Sequence, residues 1–334
     1  MPSYLITGAS RGLGYAWLKQ LSSNPANIVI GLVRNKDTTQ NRLVDDNLTN
    51  VHLVCADITD AKALQTVAEQ VSKITGGSLD ILINNAAILS PNSAFNSIVD
   101  LSPEVLEENI LDSCRTNVVG VAHTINALLP LIRKGREKKV MLISTLLSDM
   151  DFVSRFAIDN ATPYSVSKAA ANLLMAKYHA ALGATDGILF MAISPGVVSK
   201  PDKTPTVDEA EGRRKMADKL KSYAPHFTGP VTMEESVRMQ LEVIDKATVE
   251  TYGGTFVSHF GNKKWLEAYR GRRRCLYPCT LPGRLLTVSW SSGYDFPLTI
   301  ALSKCSGKVL GSIPRETIFC TCALYCQMEF HRVL

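Results

Sequence analysis

Thr7-Gly8-Ala9-Ser10-Arg11-Gly12-Leu13-Gly14 follows the apolar run Tyr4-Leu5-Ile6 and leads into a helical pattern from Leu13 to Leu21. Glycine allows a tight turn and lets backbone approach a pyrophosphate, and the helix that follows offers amide donors and the positive end of its dipole. Such a pattern carries this meaning only between a strand and a helix, which is where it stands here. The alternative is a bare strand-to-helix turn. As a dinucleotide cradle, the stretch assigns Gly8, Ser10, Arg11, Gly12, Leu13 and Gly14 to cofactor binding.

Outward from that turn, short β-rich runs alternate with longer helical patterns to about residue 260. Candidate strands cover Tyr4–Thr7, Ile28–Val33, Val51–Cys55, Ile81–Asn84, Val140–Ser144, Ile188–Ser194 and Thr255–Val257. The alternation predicts an α/β fold: a doubly wound, seven-stranded parallel sheet of the Rossmann type, with helices on both faces and a ligand crevice at the carboxyl ends of the strands. Ser102-Pro103 places a cap and a first-turn proline before a helical segment from Glu104 to Leu131. Thr232-Met233-Glu234-Glu235 is a capping box ahead of a helix over Ser236–Ala247. Between Pro195 and Pro230, a polar stretch with a charged helical insert near Asp208–Lys221 reads as a lid.

A chain of 334 residues, 46% apolar and 20% charged, can bury a full core without disulfides or a metal. The first strand begins at the N-terminus, which leaves no room for a cleavable leader, and no apolar run approaches the roughly 20 residues that cross a bilayer. A cytoplasmic protein without membrane contact is expected. The formal charge of +5 is unevenly placed: residues 1–266 carry 27 basic and 27 acidic residues, whereas 267–334 carry nine and four. Cysteine divides likewise, with Cys55 and Cys114 in the first part and Cys275, Cys279, Cys305, Cys320, Cys322 and Cys326 in the second. Their spacing does not match the paired CxxC of structural zinc, so no metal is expected, and Arg272 to Arg274 is too short a run to predict nucleic-acid binding. Periodicity fails beyond Leu266. The sequence therefore predicts a domain at 1–266 and a poorly structured, Cys- and Arg-containing extension at 267–334, as an artefact of gene modelling such as a translated intron would give.

Further motifs close successive strands. The second ends at Leu32-Val33-Arg34, and Arg34 stands 20 residues after Gly14, where NAD-specific sites place an acidic residue on the ribose. A basic residue there, with Arg11 in the glycine turn, suits a 2′-phosphate and favours NADP(H); solvated surface arginines are the bland alternative. Asp57 closes the third strand, where it can accept from an adenine amino group. Asn84-Asn85-Ala86-Ala87 closes the fourth, and Asn85 joins the cofactor set. Either could instead be strand-end turn chemistry.

Tyr164-Ser165-Val166-Ser167-Lys168 sets a phenol four residues before an ammonium, so a helix beginning near Tyr164 stacks the two on one face. A tyrosine with a pKa of about 10 is a poor proton shuttle at neutral pH, and a nearby ammonium stabilises its phenolate. As a bare spacing the pair is common on exposed helix faces.

Together, the turn at Thr7–Gly14, Asn84–Ala87, Arg115-Thr116-Asn117-Val118, the Tyr164/Lys168 pair and Pro195-Gly196 resemble, in this order, the short-chain dehydrogenase/reductase family over residues 1–266. Within it the chain is most similar to fungal ketoreductases of the norsolorinic acid ketoreductase type, and more distantly to sniffer-like carbonyl reductases. The resemblance implies that Tyr164 donates a proton to a ketone oxygen as hydride arrives from nicotinamide. It implies that Lys168 lowers the tyrosine pKa and holds the nicotinamide ribose, and that Asn117 anchors a water completing a proton relay. It further implies a homodimer or homotetramer built on the helices Glu104–Leu131 and Tyr164–Leu182.

Two departures stand out. Where the family ends its fifth strand in paired serines, this chain reads Ile143-Ser144-Thr145-Leu146-Leu147-Ser148. Motif alignment gives the carbonyl-polarising role to Thr145, with Ser144 as the alternative and Ser148 behind both; alternate strand residues face opposite sides, so Ser144 and Thr145 cannot both serve unless the strand has ended. After Pro195-Gly196, Lys200 replaces a usual threonine, leaving backbone contacts from Val198, or Ser199 after a slip of one, to hold the carboxamide. Phe152 and Phe156 in the loop 146–163, with Tyr223, His226 and Phe227 in the lid, predict either an apolar wall for an aromatic or polyketide-type ketone or ordinary lid packing. The expected function is an NADPH-dependent ketoreductase of secondary metabolism. A non-catalytic dinucleotide-sensing regulator on the same fold, and a dehydrogenase working oxidatively, are the alternatives.

Overall fold

A computed structural model of the chain describes residues 1–199, 207–224, 227, 229–266, 286–287 and 299–300. They fall into two units, Met1–Tyr269 and Arg270–Leu334. The first contains seven strands: β1 (Ser3–Thr7), β2 (Ile28–Val33), β3 (Val51–Cys55), β4 (Ile81–Asn84), β5 (Lys139–Ile143), β6 (Leu189–Ser194) and β7 (Phe256–Ser258). All pair in parallel in the order β3-β2-β1-β4-β5-β6-β7. The order reverses between β1 and β4, so a crevice opens there at the carboxyl ends of the strands. In the second unit the described residues are an antiparallel pair, Leu286–Thr287 with Thr299–Ile300. The remainder of the expected extension, including its six cysteines, lies outside the described residues.

Apolar strands can sit in the middle of such a sheet because helices cover both faces. On one face Tyr4, Ile6, Ile81, Ile83, Met141 and Ile143 pack against Trp17 and Leu18 of the helix Gly12–Ser22 and Val237 and Ile244 of the helix Met233–Lys246. The intervening residues Leu5, Leu82, Val140 and Leu142 point the other way, onto Leu64, Ile125, Leu128, Ala171 and Met175 of the helices Ala61–Thr75, Gly120–Ile132 and Thr162–Asp186. This period-two division is why a shift of one residue in any strand would turn its core side chains into the opposite layer.

Helix ends follow the sequence signals. Ser102 Oγ accepts from Val105 N at 3.3 Å, and Thr232 and Glu235 form the expected reciprocal capping box. The segment predicted as one helix from Glu104 is continuous in direction but changes winding: Pro103–Cys114 and Gly120–Ile132 flank a π turn at Arg115–Val119. Strand β5 ends at Ile143, one residue earlier than the sequence pattern suggests, because Thr145 already caps a short 3-10 turn at Leu146–Ser148.

The lid helix extends over Val207–Tyr223. It packs through Leu220 and Ala224 onto a separate apolar cluster with Leu146, Phe152, Ile158, Trp265 and Leu266. The ring centroids of Phe152, Phe156 and Tyr223 lie within 5.2 Å of one another, Tyr223 standing nearly perpendicular to both phenylalanines. Trp265 N donates to Tyr223 Oη at 3.0 Å, and Lys219 Nζ donates to the Ala157 carbonyl and pairs with Asp159. Of the two readings of these aromatics, lid packing accounts for the contacts, with Phe152 only 3% exposed. Phe227 N closes the lid's end on the Ala224 carbonyl; His226 lies outside the described residues.

Candidate active site

The ends of β1 to β6 contribute to the crevice, and hydrogen bonds rather than proximity in sequence fix how they meet. The glycine turn is tied first to β2: Gly8 N and Ala9 N both donate to the Leu32 carbonyl, at 3.0 and 3.3 Å. It is tied next to β4. Thr7 Oγ1 accepts from Asn85 N and Ala86 N, and Asn85 Nδ2 donates to the carbonyls of Thr7 and Gly8 at 2.9 and 3.3 Å. The side-chain amide of Asn85, a residue of the expected cofactor set, is thereby engaged in supporting the turn.

The glycines are needed for different reasons. Gly8 and Gly12 have φ of +65° and +58°, in the left-handed region. Gly14 lies against the Gly8 carbonyl, where a methyl group would stand 2.2 Å from the oxygen. Gly12 has nothing within 4 Å of its would-be Cβ, so its backbone faces open space. The helix it begins has no side-chain cap among the described residues, and Arg11 at the cap position is extended. Uncapped first-turn amides behind a turn open to solvent, with Ser10 and Leu13 flanking it, can take the phosphates of a dinucleotide. Arg11 and Arg34 are both exposed beside the turn, Arg34 two residues beyond the carbonyl that anchors it.

Asp57, beyond β3, is exposed, and its Oδ1 accepts from Thr59 N at 2.9 Å and Thr59 Oγ1 at 2.8 Å. Those bonds hold its carboxyl below the usual range, with smaller help from Arg34 and Arg115. Val198, beyond β6, bridges Val231, while Val231 N and Ser199 N reach the Val197 and Val231 carbonyls. Its backbone is thus held in place, whereas Lys200 lies outside the described residues.

The proton-transfer candidates occupy the first two turns of the helix Thr162–Asp186. Tyr164 and Lys168 share a face, with Lys168 Nζ 5.9 Å from the phenol ring centroid and donating to the Ile143 carbonyl at 2.6 Å. Lys168 is 1% exposed. Burial pushes its ammonium down to about 7 and the Tyr164 phenol up to about 12. Desolvation opposes both charged forms, and the lowering of the phenol expected from the nearby ammonium acts against it.

Asn117, within the π turn and fully buried, joins this helix to the loop after β4. Its Oδ1 accepts from Ile88 N at 2.9 Å, while its Nδ2 donates to the Ile88 carbonyl at 3.0 Å and to Ser167 Oγ at 2.9 Å. Ser167 Oγ in turn donates to the Tyr164 carbonyl at 2.8 Å. A continuous path therefore runs from the glycine turn through Asn85 and the loop to Ile88, then Asn117, Ser167 and Tyr164. The side-chain amide expected to anchor a water is engaged by protein. Ser167 was missed as a contributor although it lies inside the Tyr-Ser-Val-Ser-Lys motif; no local pattern marks it.

The two hydroxyls at the end of β5 differ in exposure and in hydrogen bonding. Ser144 is 2% exposed, its Oγ 3.4 Å from Ser148 Oγ. Ser148 Oγ donates to the Thr145 carbonyl at 2.6 Å, which makes the 3.4 Å contact with Ser144 a weak one. Thr145 is half-buried, and its Oγ1 accepts only a 3.3 Å bond from Leu147 N, leaving its proton to another acceptor. Pro195-Gly196 follows β6: Ser236 Oγ donates to the Pro195 carbonyl at 2.7 Å, and Gly196, at φ +80°, passes over the ring of His259. Burial pushes His259 down to about 4.

Comparison with known proteins gives the same picture. A family model described as short chain dehydrogenase matches residues 3–212. The short-chain dehydrogenase/reductase AacuF of Aspergillus aculeatus is 74% identical over 266 residues, covering 80% of this chain and 100% of its own. The short chain dehydrogenase virK of Hypocrea virens is 44% identical over 272 residues, with the same coverage. Among solved structures, NADPH-bound carbonyl reductase from chicken fatty liver superposes with a TM-score of 0.62 at 22% identity, covering 80% of this chain and 99% of its own. The carbonyl reductase Sniffer of Drosophila melanogaster gives 0.62 at 23% identity, covering 78% and 98%. At those identities the structural likeness speaks for the fold.

Proposed function

The chain belongs to the short-chain dehydrogenase/reductase family, and on that premise we propose that its domain at 1–266 is an NADPH-dependent ketoreductase acting on a ketone of an aromatic or polyketide-type substrate in secondary metabolism. The observation that carries the reading is the hydrogen-bonded path from the glycine turn to Tyr164 through Asn85, Asn117 and Ser167. It ties a dinucleotide cradle, a half-buried phenol and a buried amine to one rigid frame.

The turn Gly8–Gly14 would hold the pyrophosphate, Arg11 and Arg34 a 2′-phosphate, Asp57 the adenine, and the Val198 backbone the carboxamide. When bound, reduced nicotinamide supplies the hydride. Tyr164 acts as the general acid: its phenol is protonated at neutral pH, the form that donates to a carbonyl oxygen, and the Lys168 ammonium one turn away stabilises the phenolate left behind. Thr145 donates the second hydrogen bond to that oxygen, since it is half-buried with its hydroxyl proton uncommitted, whereas Ser144 is 2% exposed. Lys168, near neutrality in its buried position, can pass a proton to Tyr164 after turnover.

No helix among the described residues is long and apolar enough to cross a membrane, consistent with a cytoplasmic site of action on a diffusible ketone. Leu111, Val119, Val166 and Leu173 expose apolar surface along Pro103–Cys114, the π turn and Thr162–Asp186, which supports a homodimer or homotetramer on these helices. Replacing Tyr164 by Phe tests the mechanism. Turnover of a panel of aromatic ketones should fall by about 10²–10⁴ while NADPH affinity stays near wild type. Undiminished turnover would remove Tyr164 from the reaction, and wild-type protein that binds NADPH but oxidises none with any ketone would favour the sensing regulator.

A further inference from the structure

The catalytic helix grips the end of β5 at two points. Lys168 Nζ takes the Ile143 carbonyl at 2.6 Å. One turn further along, Asn172 Nδ2 donates to Ser148 Oγ at 2.9 Å, and Ser148 Oγ donates to the Thr145 carbonyl at 2.6 Å. Ser148 N also reaches that carbonyl, at 3.0 Å. Thr145 therefore stands where the ladder has ended, extended at φ −153° and ψ 145°, with its own hydroxyl making only the long contact to Leu147 N.

Nothing in the strand itself fixes Thr145: its neighbour Ser144 makes the last bond to β6, from Ser144 N to the Ile193 carbonyl. What remains, besides the backbone bond from Ser148 N, is the side-chain chain Asn172–Ser148. It leaves Asn172 Oδ1 shielded from solvent without a partner among the described residues, a cost that a helix residue with no task would not be expected to carry. From the geometry we infer that Asn172 and Ser148 are positioning residues, which hold Thr145 in register with Tyr164 so that both hydroxyls meet the same substrate oxygen. Tyr164, Lys168 and Asn172 follow one another at intervals of four on one helix, so a single rigid body places the acid, the amine and, through Ser148, the polarising hydroxyl. Threonine at this position makes the arrangement more demanding. Its extra methyl lets the hydroxyl reach the substrate in one rotamer only, so the carbonyl on which the residue pivots must be fixed.

The inference rests on the ketoreductase reading for its consequence but has a readout that does not. With Thr145 methyl-labelled in the full chain, side-chain couplings should report one χ1 rotamer in wild type and mixed rotamers in Ser148→Ala and Asn172→Ala, each with NADPH bound as a check on folding. In reduction of 9,10-phenanthrenequinone by NADPH, Ser148→Ala should lower kcat by about tenfold with little change in KM, and Ser148→Thr should restore it. In a Thr145→Ala background the same Ser148→Ala change should alter kcat by less than twofold, because the group it positions is gone. An unchanged Thr145 rotamer in Ser148→Ala, or a tenfold loss that persists without the Thr145 hydroxyl, overturns the inference. If Asn172→Ala fails to bind NADPH, the Ser148 pair decides alone. A wild-type protein inert toward every ketone would count against the ketoreductase reading, while the rotamer result would still decide the positioning.

Discussion

Gly14→Ala should disable the cofactor turn by pushing its two walls apart. A Cβ at Gly14 would stand 2.2 Å from the Gly8 carbonyl oxygen and 2.6 Å from Asn85 Nδ2. Carbon and oxygen need about 3.3 Å, so backbone must yield by about 1 Å on a site with little slack. The Gly8 carbonyl accepts from Asn85 Nδ2 at 3.3 Å and the Thr7 carbonyl at 2.9 Å, so the shift strains both bonds. Two bonds at about 1 kcal/mol each, with about 1–3 kcal/mol for overpacking, are offset by about 1 kcal/mol of better helix propensity. The net is about 2–4 kcal/mol, a fall in melting temperature on the order of 10 °C for a domain of this size. Thermal unfolding by circular dichroism measures that loss, and quenching of intrinsic fluorescence measures NADPH affinity, expected to drop at least tenfold as the amides splay. Gly12→Ala separates space from conformation, because it meets no neighbour within 4 Å yet keeps φ at +58°; it should cost only about 1–2 kcal/mol. Wild-type stability together with wild-type NADPH affinity in Gly14→Ala would refute the contact between turn and helix on which the cofactor site is built.

Arg34→Asp should shift cofactor preference from NADPH toward NADH by at least tenfold in kcat/KM, because a carboxylate repels a 2′-phosphate and accepts from a ribose hydroxyl; steady-state rates with both cofactors check it. Acid should destabilise the fold through His259, whose imidazole stays neutral in the native state down to about pH 4. The unfolded chain binds that proton near pH 6.5, so stability falls as pH drops through the window from 6.5 to 4, by up to about 3 kcal/mol. Urea unfolding at pH 7 and pH 4.5 should show a smaller difference for His259→Gln than for wild type, and an equal difference would remove His259 as the cause.

The sheet was legible because its signals are local. Buried parallel strands read as short apolar runs, and each of the seven lies within two residues of its sequence-based position, β7 shifting by one because pairing with Ala192–Ser194 rather than composition sets its ends. The site was legible as an ordered set of residues but not as a set of contacts. Asn117 bonds to residues 29 and 50 positions away, and the π turn around it has no signature in Arg115-Thr116-Asn117-Val118-Val119, since a tertiary pull rather than local propensity selects the wider winding. Ser144 and Thr145 differ in their surroundings, Ser144 Oγ lying 3.4 Å from Ser148 Oγ while Thr145 Oγ1 accepts only from Leu147 N, a difference that spacing alone could not reveal. His259 gave no signal either: its burial follows from Gly196 passing across its ring.

The central claim is that this domain transfers hydride from a nicotinamide to a ketone with Tyr164 as acid. Incubation of the wild-type chain with 4-deuterated NADPH and an aromatic ketone, followed by mass spectrometry of the alcohol, tests it most directly. One deuterium should appear on the carbinol carbon with one of the two C4 labels, and the amount of labelled alcohol should fall by about 10²–10⁴ with Tyr164→Phe. NADPH that stays reduced, or an alcohol whose new hydrogen comes from solvent, would contradict the account.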